Sequence, residues 1–194
     1  MRNNRLRRIL LAAAAVSCLY LLSGAEASAQ TIKQISATAR GTSTQMGRIV
    51  SVDLRIYEFS TADDQKVLLE SFQADGSEGL ANALDKMKSK GRIAITGTIG
   101  YDVNYIREFK MPDGSVKIRF VTDRPIRFGE AWASTRTMDY AISMGEIIIN
   151  KEKSKSVGTL MPASKVKLNK QGELEIEAYQ NPWELVNIRT FNKK

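Results

Sequence analysis

The chain has 194 residues, a formal net charge of +8, one cysteine and no histidine. Without imidazole there is no Ser-His-Asp triad, no histidine general base and no ordinary zinc site. Any chemistry falls to carboxylates, Lys, Arg, Tyr and hydroxyls.

Residues 1–29 read as a cleavable export signal. Arg2, Arg5, Arg7 and Arg8 precede an apolar run from Ile9 to Val16, and a second burst spans Leu19 to Leu22. Ala27-Ser28-Ala29 then supplies the small-x-small pattern of a cleavage site, with Gln30 as the new N-terminus. The expected product is exported, periplasmic or secreted, with no integral membrane span after cleavage. An uncleaved anchor would need about 20 apolar residues to cross a bilayer, and Ser17 and Cys18 interrupt this run. A lipobox at Ala15-Val16-Ser17-Cys18 would leave the lipidated cysteine heading another apolar stretch. Cleavage removes four of 29 Lys+Arg and one of 21 Asp+Glu, leaving 25 against 20, or +5, and no cysteine. The exported part then has no disulfide framework, cysteine nucleophile or thiolate metal site. About 165 residues suit one buried core rather than two domains.

Residues 30–46 read as a loose lead-in or edge strand, 47–190 as a single β-rich domain and 191–194 as a frayed tail. Val50, Val52, Leu54 and Ile56 alternate with polar residues, as in a half-buried strand. Ser60-Thr61 followed by Asp63-Asp64 resembles a capping-box start, with acids where the helix dipole favours them. Leu68, Leu69 and Phe72 give that helix an apolar face, and Asp75-Gly76 ends it. Leu80, Ala83, Leu84 and Met87 mark a second helix, capped by Ser77 and closed by Gly91. Together they predict a two-helix hairpin inserted after the first main strand.

From Gly91 onward the pattern is β. Ile93 and Ile95 lead to the turn Gly97–Gly100, after which Tyr101, Val103 and Tyr105 share one face. Met111-Pro112-Asp113-Gly114 is a hairpin turn, followed by Val116, Ile118 and Phe120 on one face. Pro125 breaks the next segment, where Ile126 and Phe128 point in and Arg127 out. Met138, Tyr140, Ile142 and Met144 alternate, and the shift to Ile147 and Ile149 predicts a β-bulge at Gly145. Val166 and Leu168, the turn Asn169–Gly172, then Leu174, Ile176 and Ala178 predict a last hairpin before Trp183, Leu185 and Val186. The fold class expected is mainly β, an antiparallel sandwich or barrel carrying the helical hairpin, with α+β as the other label.

The densest polar constellation is Lys117, Arg119, Asp123, Arg124, Arg127 and Glu130. Arginine's planar fork suits a carboxylate or phosphate, so Arg119, Arg124, Arg127 and Glu130 form the candidate anion-binding set. Glu130 is the candidate catalytic carboxylate. An exposed sheet face neutralised by its own Asp and Glu explains the same residues. Asp63-Asp64, or Asp102 with Asp123, could pair for glycoside hydrolysis or bind a divalent cation, but no EF-hand spacing is present. No metal and no cofactor is expected. Ser164-Lys165-Val166-Lys167 matches the Ser-x-x-Lys signature of penicillin-recognising acylases, which needs both residues on one helical face. A strand sends them to opposite faces, so the match is coincidental. Lys151, Lys153 and Lys155 form a basic loop, and without interleaved aromatics it does not predict nucleic-acid binding.

The run Gly91-Arg92-Ile93 to Gly97-x-x-Gly100-Tyr101-Asp102, then Asp123-Arg124-Pro125-Ile126, then Gly158 to Lys167, resembles a family of uncharacterised, secreted β-rich bacterial proteins. That resemblance covers most of the exported chain and implies no activity. The residues themselves predict a non-enzymatic ligand-binding or envelope-associated protein, taking a small apolar or anionic ligand. Its site would be a cavity inside a closed sheet, as in lipocalin-like proteins. A carboxylate-dependent hydrolase and a protein–protein interaction module with an open sheet edge are the alternatives.

Overall fold

A computed structural model describes residues 33–127, 140–168, 174–179 and 181–192. The chain separates into residues 1–30 and residues 31–194, and the described residues belong to the second unit. The export signal, Phe128, Glu130, Met138 and the turn Asn169–Gly172 lie outside the described residues.

The described residues form nine strands and one α-helix: β1 (Lys33–Arg40), β2 (Ile49–Ile56), α1 (Ala62–Lys86), β3 (Gly91–Ile95), β4 (Tyr101–Lys110), β5 (Val116–Thr122), β6 (Ile142–Ile149), β7 (Val157–Leu168), β8 (Leu174–Ala178) and β9 (Trp183–Asn192). Each of β1 to β7 pairs antiparallel with the next, β7 pairs with β9, and β9 returns to β1. Eight strands thus close an antiparallel barrel, while β8 pairs with β7 alone among the described strands. β8 lies beside the outer half of β7, with Ser164 opposite Ala178, while Gly158 faces Leu185 of β9. Six residue steps on β7 therefore match seven along β8 and β9, so the two act as one strand broken near Asn181-Pro182.

Strand alternation builds the interior. Ile35, Ala37 and Ala39 of β1, Val52, Leu54 and Ile56 of β2, and Ile118 and Phe120 of β5 all turn inward. With Leu160, Trp183 and Leu185 they form one buried cluster. Segment 33–40 is therefore a full barrel strand, paired on both sides, and not a loose lead-in or an edge.

Three sequence expectations are corrected. The two-helix hairpin is instead a single helical element, α1, bent where Asp75 and Gly76 leave helical dihedrals. Gly76 sits at φ 61°, which a residue without Cβ accepts, so the chain bends without a connecting loop. Thr61 does form a capping box with Asp64, but α1 stops at Lys86 and Gly91 already belongs to β3. The bulge at Gly145 is absent: β5 and β6 pair in continuous register, and the Phe120 ring covers Gly145. A Cβ there would lie 2.1 Å from the ring. Ile142 and Met144 are apolar because they face α1, while Ile147 faces the interior, so this strand is covered on both sides. Finally, the register between β4 and β5 shifts at Asn104, which turns Tyr105 away from Val103 and toward α1.

Candidate functional site

The described strands close the kind of antiparallel barrel expected, and its interior is apolar. Phe120 and Trp183 are buried there with the surrounding isoleucines and leucines. Tyr140 lies elsewhere, with its ring 5.5 Å from Tyr179 and its hydroxyl on Glu177.

The apolar pocket lies outside, between α1 and the barrel wall. Leu68, Leu69, Phe72, Leu80 and Leu84 of α1 face Tyr105, Val121, Met144, Val166 and Ile176 across a groove of about 300 Å³. This is near the lower end of the size range of small-molecule sites. The bend at Asp75-Gly76 sets both halves of α1 against the wall, and Ser77 Oγ accepts a 3.4 Å hydrogen bond from Val166 N–H. Thr61 and Asp64 anchor the helix start through bonds of 3.1 and 2.7 Å. Burial works against the Asp64 carboxylate, but hydrogen bonds from Thr61 and the Lys90 ammonium at 3.3 Å hold it below the ordinary range.

Gln65 lines the groove, and Arg107 Nη1 donates to its Oε1. Arg107 also stands 5.5 Å from the Phe109 ring centre, and Arg119 stands 5.7 Å from the same ring. Arg119 and Lys117 both pair with Glu146, at 2.6 and 3.3 Å. Burial opposes ionisation of Glu146, yet these two cations hold its carboxyl low. Arg107 has no carboxylate partner among the described residues, and only Lys117 and Arg119 share Glu146.

The sequence-predicted residues do not converge here as a set. Arg119 is on the outer wall with Glu146. Arg124 forms a two-point pair with Asp123, at 3.0 and 2.7 Å, and this carboxylate raises its pKa. The Arg127 backbone N–H donates to the Tyr101 hydroxyl at 3.2 Å. Glu130 lies outside the described residues. Asp102 pairs with Arg92 at 3.0 Å rather than with Asp123. Ser164 is buried in β7, while Lys167 is exposed and bonds Glu177 at 2.9 Å, so the Ser-x-x-Lys pair is split across the strand.

No group of three or more His, Cys, Asp or Glu suited to a metal occurs among the described residues. The described carboxylates with a clear shift, Asp64, Asp113, Glu146 and Glu177, are all moved down. A general acid needs the opposite displacement. Sequence reading missed Gln65 and Arg107; their signal lies in pairing α1 with β4, which no local pattern carries. No helix among the described residues is long and apolar enough to cross a membrane. No protein-family model, no curated protein and no solved structure matches this chain.

Proposed function

We propose that this chain is a non-enzymatic, exported binding protein for an amphiphile with an apolar tail and an anionic head. The tail would occupy the groove under α1 and the head would meet Arg107. The observation that carries this reading is the apolar groove itself, whose lining residue Gln65 hydrogen-bonds Arg107, an arginine with no carboxylate partner among the described residues. Arg107 is half-buried, and its planar fork can take two oxygens of an anion at once. The export part of the reading rests on the basic, apolar and small-residue sequence of residues 1–29.

Native mass spectrometry of the protein isolated from its envelope fraction tests this directly. A retained amphiphile is expected, lost from a Val121→Phe variant that fills the groove while melting at an unchanged temperature. A bare mass for the parent chain, or equal retention by both, would contradict the reading.

A further inference from the structure

The three most exposed large apolar side chains among the described residues are Ile99 (82%), Met46 (80%) and Ile49 (67%). Single exposed apolar residues are ordinary on any surface. These three, however, gather at one end of the barrel. Met46 lies in the β1–β2 connection, Ile49 opens β2, and Ile99 lies in the β3–β4 connection. Val52 pairs with Ile95, and Thr96 N–H donates to Ser51 carbonyl at 2.9 Å, which sets the start of β2 alongside the 96–100 turn.

Local structure holds these side chains outward. The Gly41 N–H bonds the Arg48 carbonyl at 2.9 Å, and Thr42 Oγ1 donates to the Pro182 carbonyl at 2.6 Å. Within this connection the usual partition is reversed, since polar Gln45 is buried and Met46 is exposed. Arg48, exposed in the same connection, has no carboxylate partner among the described residues, while Arg40 pairs with Glu184 at 2.7 Å.

We propose that this end of the barrel docks on an anionic lipid surface, with Met46, Ile49 and Ile99 entering the headgroup–acyl boundary and Arg48 meeting lipid phosphates. Apolar side chains beside a basic residue are what such an interface takes up. Two hairpin ends suit insertion better than a protein interface, which spreads over about 800 Å² per partner. The chain's positive net charge acts in the same direction. This inference does not depend on the groove.

Co-flotation with vesicles of phosphatidylcholine, with and without phosphatidylglycerol, reads it out. The parent chain floats with the anionic vesicles, and Met46→Ser/Ile99→Ser lowers that binding by about tenfold or more. Arg48→Gln lowers it several-fold, and high salt acts likewise. All variants leave residues 1–29 untouched, so any contribution from that segment stays constant. No flotation by the parent chain, or flotation unaffected by the double substitution, overturns the proposal. So does a concentration-dependent dimer in ultracentrifugation that Met46→Ser/Ile99→Ser dissolves, which would assign the tip to self-association.

Discussion

At Gly145 a missing side chain decides how the barrel packs. The Phe120 ring occupies the space a Cβ would need, at 2.1 Å. Gly145→Ala should therefore destabilise the protein by about 1–3 kcal/mol through overpacking. Thermal melting of that variant and of Gly145→Ala/Phe120→Leu checks it: the smaller side chain should restore part of the loss. Glu177 shows the electrostatic counterpart. The Tyr140 hydroxyl at 2.5 Å and the Lys167 ammonium at 2.9 Å lower its carboxyl from 4.5 to about 2. A depressed carboxylate stabilises the fold above its unfolded value and loses that effect as pH falls through the folded one. The contribution of Glu177 should thus be whole above about pH 4.5 and fade toward about 2. NMR titration of its side-chain carbonyl gives the midpoint, and Tyr140→Phe should raise it.

Among the elements, strands with one covered face were the most legible. Val52, Leu54 and Ile56 alternate in the sequence and all point inward. The Met111–Gly114 turn closes as its Pro and Gly require, with Gly114 N–H on the Met111 carbonyl at 2.9 Å. Reading failed where a second layer covers the outer face. Met144 and Tyr105 are apolar or aromatic because of α1, and a two-residue period cannot distinguish that from a change of register. The bend in α1 was legible at Asp75-Gly76 as a stop, but not as a kink within one element. The groove joins Leu68 to Val166 and Ile176, and no local pattern reports partners so distant in sequence. α1 holds its wall through packing and through its cap, so Thr61→Ala should cost about 1 kcal/mol. Chemical denaturation followed by circular dichroism measures that loss.

Over the whole molecule, closure depends on residues far apart in the chain. β1 joins β9, and Lys33 of β1 reaches Glu108 of β4 at 2.8 Å across the inside of one barrel end. Both side chains are mostly buried, at 20% and 28% exposed. Removing either partner should cost about 1–2 kcal/mol, between the values for exposed and fully buried pairs. A double-mutant cycle with Lys33→Met and Glu108→Leu should recover most of that loss, and additive losses would show that the pair does not couple.

The proposed function is a claim of location, with its ligand in the groove under α1 rather than among the buried Phe120 and Trp183. Methyl NMR during titration with dodecanoate tests it most directly. The account predicts shifts at Leu68, Leu80, Leu84 and Val166, with Ile118 and Leu160 unmoved. Shifts confined to Ile118, Leu160 and their interior neighbours, or no saturable shifts at all, would contradict it.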